Sequence, residues 1–162
     1  MLLTVALNSS HKKNLFVCEE PSLENYLRKQ AGQDVKRQVA ACFVLEGEDG
    51  AIKGYYTLSA DSVDRNLIPE HLQKKLPYKN LLVTLLGRLA RDSNYKGQGI
   101  GELLLADALR QAFQASATIG AWAVVTDPIN EKARAFYESF GFISLESGRM
   151  FITMETIKAS FP

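Results

Sequence analysis

Six consecutive residues, Lys96-Gly97-Gln98-Gly99-Ile100-Gly101, stand directly ahead of a segment with a helical apolar period. Glycines at alternate positions let a backbone turn tightly and approach a ligand with no Cβ in the way. Set before a helix, such a loop gathers backbone N–H groups and the positive end of the helix dipole at one point, which suits phosphate oxygens. The ATP-binding string GxxxxGK followed by Ser or Thr is not in the chain. The dinucleotide string GxGxxG fails as well: its last position falls on Glu102 counted from Gly97, and on Leu104 counted from Gly99. GxGxG behind Lys96 is therefore a phosphate cradle of another kind, or a tight strand-to-helix turn whose glycines only relieve crowding.

Charge points to the same stretch. The chain carries a net charge of +1, yet residues 65–98 hold seven basic side chains against two acidic ones. A locally basic stretch in a neutral protein fits a polyanion or a phosphate group, and equally a solvated face with no ligand.

The elements around the loop read as mixed α and β. Residues 2–7 read as a first strand, and Ser22 can cap a helix running to about residue 33, with Leu23, Tyr26, Leu27 and Gln30 at helical spacing. Residues 39–46 and 52–60 read as a hairpin around the turn at 47–50. Pro69 fits the first turn of a short helix that ends before Pro77. Residues 81–90 are almost continuously apolar, the pattern of a strand buried on both faces. After the glycine loop, Ile100, Leu104, Ala108 and Ala112 recur every four residues, so a helix over residues 102–117 is predicted. Residues 120–126 predict a strand, 130–140 a helix stopped by Gly141, and 149–156 a closing strand. Strand, helix, strand in the second half implies a crossover, hence an α/β or α+β sheet with helices on its faces.

Composition bounds the rest. The 162 residues are 46% hydrophobic and 23% charged, which fits one packed domain over 1–162 and needs no disulfide or metal staple. No apolar run is long enough for a membrane span. The apolar start lacks a basic lead-in and reads as a strand rather than a signal peptide, so a cytoplasmic protein is expected. Cys18 and Cys42, with only His11 and His71 to help, make neither a disulfide framework nor a zinc site. The two cysteines read as small hydrophobes, Trp122 as core, and both histidines as exposed.

With these residues in view, the chain resembles the GNAT-type N-acetyltransferases. Residues 96–101 look like that family's pyrophosphate-binding loop, (Gln/Arg)-x-x-Gly-x-(Gly/Ala), with Lys96 in place of the usual Gln or Arg. Lysine keeps the positive charge and loses the planar donor geometry. Asn130-x-x-Ala133-x-x-x-Tyr137-x-x-x-Gly141-Phe142 looks like the family's second signature, the helix beside the cofactor's thiol end. Phe16-Val17-Cys18, Gly54-Tyr55-Tyr56, Ser62-Val63-Asp64, Leu76-Pro77, residues 85–90 and residues 133–137 extend the likeness to the GNAT toxins of toxin–antitoxin modules.

The resemblance implies a GNAT fold: a mixed, mostly antiparallel sheet of about six to seven strands with about four helices. It implies acetyl-CoA held by Lys96, Gly97, Gln98, Gly99, Ile100 and Gly101, with Asn130, Ala133 and Phe136 alongside. It implies a bulge at Leu89-Ala90-Arg91 that leaves backbone N–H groups for the acetyl oxygen and the cofactor amides, and it makes Tyr137 the general acid. The toxin branch implies acetylation of the amino acid on charged tRNA, blocking translation, and a ribbon-helix-helix antitoxin; it leaves room for a homodimer. Rival acceptors are a small amine, a peptide or a protein N-terminus, and a rival of another class is a cofactor-binding module acting through an antitoxin-like partner.

No general base stands out in the sequence. An α-amine with a pKa near 8 has a useful neutral fraction without one, whereas a lysine ε-amine near 10.4 would need help, so an α-amine acceptor is favoured. Lys12, Lys13, Arg28, Lys29, Lys36, Arg37, Lys74, Lys75, Arg88 and Arg91 are expected phosphate contacts for the tRNA. Arg88 lies inside an apolar strand, where a charge must be paired internally or face a site.

Overall fold

The computed structural model of the chain describes residues 2–161. Among them are seven strands: β1 (Val5–Ala6), β2 (Ala41–Glu46), β3 (Ile52–Asp64), β4 (Asn80–Arg91), β5 (Ala123–Thr126), β6 (Ile143–Ser144) and β7 (Met150–Thr153). They lie in one sheet in the order β1-β2-β3-β4-β5-β7-β6. The pairs β1/β2, β2/β3, β5/β7 and β6/β7 are antiparallel, and β4/β5 is parallel. The α-helices are α1 (Pro21–Asn25), α2 (Ala31–Lys36), α3 (Glu70–Gln73), α4 (Ile100–Ser116), α5 (Glu131–Ser139) and α6 (Met154–Ser160). A parallel pair needs a crossover, and α4 supplies it, as the strand–loop–helix–strand reading required. The mixed, mostly antiparallel sheet has the strand number expected, and the helices are more numerous than the four expected because several are short. Among the described residues no helix is long and apolar enough to cross a membrane, and no cluster of side chains could hold a metal ion.

The chain forms two compact units, one of Met1–Ser59 with Gly87–Gln111 and one of Ala60–Leu86 with Ala112–Pro162. In the first, Phe16, Tyr26, Leu27, Ala31, Cys42, Val44, Ile52 and Tyr55 form the core. Ile100, Leu104, Leu105, Ala108 and Leu109 turn the apolar stripe of α4 inward. Gly54 permits that packing: a Cβ there would stand 2.6 Å from Leu104 Cδ1 and 2.9 Å from the Ala90 carbonyl oxygen. Asp107 on α4 is buried and accepts hydrogen bonds from Tyr56 Oη, Thr4 Oγ1 and the Leu3 amide.

Three expectations change in this unit. The first strand is shorter than residues 2–7. The helix expected over 22–33 is not capped by Ser22; it starts at Pro21, whose fixed φ and missing N–H suit a first turn, and it is interrupted by a π-helical turn at Tyr26–Gln30 before α2. The wider turn buries Tyr26 and Leu27 side by side. His11 is buried rather than exposed: its Nε2 lies 2.8 Å from Glu46 Oε2, and its Nδ1 accepts the Asn8 amide.

The second unit is built on Val63, Ile68, Leu81, Val83, Ala123, Val125, Leu145 and Phe151, with Trp122 stacked on Phe151. Here β4 departs from burial on both faces: Leu81, Val83 and Leu86 are buried, while Leu82 is 66% exposed. The run is therefore covered unevenly: the face that is open at Leu82 is closed again at Leu86, which shares its parity. The closing strand ends at Thr153 rather than 156, because Thr153 Oγ1 accepts the Thr156 amide and caps α6, a helix absent from the sequence reading. The two-residue β6 was also unread.

Candidate active site

In the first unit the glycine loop leaves the end of β4 through a 3-10 turn at Ser93–Tyr95. Asp92 holds that turn: buried, it accepts the Asn94 amide at 2.8 Å and the Val17 amide at 3.1 Å, while its own N–H bonds the Lys53 carbonyl. Gly97 and Gly99 take φ of +81° and +71°, left-handed values that strain any residue with a Cβ. Left-handed turns of this kind ahead of a helix aim backbone N–H groups toward one side, which suits an anion. The Leu103 amide returns to the Gly99 carbonyl, so the 17-residue α4 begins at once. Nothing lies within 4 Å of where a Gly97 Cβ would stand, so the backbone is open there.

Two cations flank this loop. Lys96 Nζ and Arg91 NH2 each stand 3.7 Å from Glu19 Oε1, and Arg91 Nε is buried without a hydrogen-bond partner. An open left-handed backbone, two cations and an orphaned donor suit a pyrophosphate. Lys96 occupies its place as a point charge, shared with Glu19, rather than as a planar fork. Leu89 is half-buried and Ala90 buried, so only their backbone is available to a ligand.

In the second unit Asn130 caps α5 by accepting the Ala133 amide at 2.8 Å. Gly141, at φ +96°, ends the helix and brings Phe142 back against Tyr137, ring centroids 5.2 Å apart. Tyr137 is buried, and the Phe136 ring meets it edge-on with centroids 5.5 Å apart. Burial pushes its phenol above the ordinary tyrosine range, opposed by a hydrogen bond with the Thr126 side chain. Thr126 in turn donates from Oγ1 to the Leu86 carbonyl at 2.9 Å. Leu86 and Thr126 are register partners in the parallel β4/β5 pairing, which joins Thr84, Leu85 and Leu86 to Val124, Val125 and Thr126.

The cations proposed for an acceptor divide by environment. Lys12, Lys29, Lys36 and Arg37 in the first unit are exposed, as are Lys74 and Lys75 in the second, while Lys13 is half-buried. Arg28 is turned inward, donating from Nε and NH2 to the Phe16 carbonyl. Arg88 answers its question in a third way: its guanidinium lies 3.6 Å from the centre of the Tyr26 ring, whose hydroxyl donates to Asp34. The residues given no role in the site from sequence were Asp92 and Thr126. Of these only Asp92, ahead of Ser-Asn, carried a local signal, the composition of an Asx turn.

Residues 7–142 match the acetyltransferase (GNAT) family. The chain is 38% identical over 127 residues to the tRNA-acetylating toxin of Mycobacterium tuberculosis (strain ATCC 25618 / H37Rv), covering 78% of this chain and 75% of that one. Among solved structures it resembles AtaT complexed with acetyl-methionyl-tRNAfMet, with a TM-score of 0.91, 30% identity and 98% of both chains covered. It also resembles a tyrosine-to-phenylalanine mutant of the AtaT toxin bound to the C-terminus of the antitoxin AtaR and acetyl-CoA, with a TM-score of 0.83, 26% identity, and 98% of this chain and 96% of that one covered. The glycine loop, the capped helix bearing Tyr137 and these matches agree, and the chain belongs to the acetyltransferase (GNAT) family.

Proposed function

We propose that the protein is a toxin that transfers an acetyl group from acetyl-CoA to the α-amine of an aminoacyl-tRNA and thereby blocks translation. The observation that carries this reading is the open loop with left-handed Gly97 and Gly99 at the start of α4, in a chain that matches AtaT complexed with acetyl-methionyl-tRNAfMet over nearly its whole length. Acetyl-CoA supplies the acetyl thioester and a thiol leaving group. Lys96, Gly97, Gln98, Gly99, Ile100 and Gly101 hold its pyrophosphate, the backbone of Leu89, Ala90 and Arg91 holds its amides and acetyl oxygen, and Asn130, Ala133 and Phe136 flank its thiol end. Tyr137 keeps a proton on Oη for the departing sulfur, and its burial keeps that proton in place through the neutral range.

An α-amine acceptor, already partly neutral near pH 8, needs no base from the protein. His11, tied to Glu46 and Asn8, is already committed to the fold. The exposed Lys29, Lys36, Arg37, Lys74 and Lys75 are assigned to tRNA phosphates. An antitoxin with a ribbon-helix-helix segment is the partner, a homodimer is the assembly, and the cytoplasm, where charged tRNA resides, is the place of action. The test is transfer of labelled acetyl from acetyl-CoA to total charged tRNA beside the same tRNA stripped of amino acids. Label that depends on the amino acid is expected. Label on neither pool, with acetyl-CoA binding intact, replaces the acceptor with a small amine, peptide or protein N-terminus.

A further inference from the structure

In the second unit, the connection from β3 to β4 carries four Lys or Arg side chains and a single Glu between residues 65 and 79. It is held in place by its own contacts. Asp64 caps a 3-10 turn at Arg65–Leu67 by accepting the Asn66 amide at 2.8 Å, and the buried Val63 and Ile68 on either side of the turn belong to the core. The Arg65 amide bonds the Lys79 carbonyl at 2.9 Å, and the Arg65 guanidinium donates from NH1 to the Leu76 carbonyl at 2.9 Å. Between the two ends of this connection lies a cavity of about 220 Å³, lined by Asp64, Arg65, Asn66, Pro77 and Lys79.

A guanidinium has five N–H donors, and the Leu76 carbonyl takes only one of them. Among the described residues no ion pair joins Arg65 or Lys79 to a carboxylate, and the Asp64 carboxylate is engaged by the Asn66 amide. A fork and a point charge left unneutralised in one concave site suit a phosphate. Pockets for whole small molecules run to on the order of 300–1,000 Å³, so this smaller one fits a phosphate with part of its sugar rather than a second cofactor. Tyr78 stands in the chain between the lining residues Pro77 and Lys79 and is 69% exposed. An exposed aromatic in a basic segment suits stacking by an unpaired base, which an inorganic anion or an acidic peptide lacks. We infer that this cavity is a subsite for single-stranded RNA, with one backbone phosphate on Arg65 and Lys79 and a neighbouring base stacked on Tyr78. The inference deepens the aminoacyl-tRNA reading and rests on it for which RNA is bound.

The test measures binding rather than acetyl transfer. Fluorescence anisotropy of a short labelled oligocytidylate is followed with the full-length protein at several salt concentrations, beside deacylated total tRNA, inorganic phosphate and polyglutamate. Lys79→Gln, at an exposed position, and Arg65→Gln are each expected to flatten the plot of log K against log salt for the oligonucleotide by about 0.7. Tyr78→Ala is expected to weaken the oligonucleotide about 5- to 100-fold, with Tyr78→Phe close to wild type. Arg65→Lys, which keeps the charge and loses the fork, should fall between wild type and Arg65→Gln. Unchanged slopes in both Lys79→Gln and Arg65→Gln overturn the inference, and so does a loss in Tyr78→Phe as large as in Tyr78→Ala. Polyglutamate binding that depends on Lys79 while RNA binding does not would also overturn it, and would give the cavity to an acidic partner. The two readings fail separately. Acetyl transfer to charged tRNA with unchanged slopes strikes this subsite alone, whereas altered slopes without any transfer keep the subsite and strike the aminoacyl-tRNA reaction.

Discussion

Asp92 accepts the backbone N–H of Val17, 75 residues earlier in the chain, at 3.1 Å, while its other carboxylate oxygen accepts the Asn94 amide. One buried carboxylate therefore fixes the N-terminal segment to the residue where the glycine loop begins. Asp92→Ala orphans two N–H groups and is expected to cost about 2 kcal/mol of stability. The loop loses its entry geometry as well, so acetyl-CoA affinity should fall more steeply than in a surface variant of equal stability. Urea unfolding and calorimetric titration measure the two effects, and an unchanged urea midpoint would remove Asp92 from this role.

Glu19 stands between Arg91 and Lys96, 3.7 Å from each, where the pyrophosphate is proposed to bind. It is half exposed, so the pairing is weak, and an incoming anion competes with it for the same cations. Glu19→Gln removes the competitor. Acetyl-CoA is expected to bind about two- to fivefold more tightly at low ionic strength, with the advantage vanishing in high salt. Titrations at two salt concentrations decide it, and weaker binding at low salt would make Glu19 a support of the loop rather than a rival of its ligand.

How much of this was legible in sequence follows from what each feature depends on. Gly97, Gly99 and Gly141 were readable because positive φ belongs to the residue itself, and all three adopt it. Asn130 was readable because a cap and its partner are three residues apart. The hydrogen bond of Thr126 with the Leu86 carbonyl, the stacking of Arg88 on Tyr26 and the clearance that Gly54 gives Leu104 join residues distant in the chain, and no spacing announces them. The exposure of Leu82 escaped for a related reason: an apolar run does not say which faces a sheet leaves uncovered.

Burial raises the Tyr137 phenol above its usual pKa near 10, and the Thr126 hydrogen bond only partly offsets this. A raised pKa keeps the acid form loaded at every pH below it, so protonation of the donor does not limit turnover in the neutral range. The kcat profile is expected to rise with the neutral fraction of the acceptor amine and to show no descending limb below about pH 9. Tyr137→Phe should lower kcat about 100-fold with the fold intact. Single-turnover rates across pH check both statements, and a fall in wild-type rate centred near pH 8 would assign the proton to another group.

The exposed cations and the inward-turned ones predict different responses to salt. Lys36 and Arg37 are free to meet phosphates, so each alanine variant should flatten the plot of log K against log salt for charged tRNA by about 0.7 to 0.9. Arg88 lies flat on the Tyr26 ring, so Arg88→Ala should instead lower stability by about 1 kcal/mol through lost cation–π contact and stem packing, leaving the salt slope unchanged. Binding isotherms at four salt concentrations, beside urea midpoints for the three variants, separate the two behaviours. A reduced slope in Arg88→Ala would mean that the guanidinium leaves Tyr26 to reach the nucleic acid. Unchanged slopes in both Lys36→Ala and Arg37→Ala would take the face around α2 out of the tRNA site.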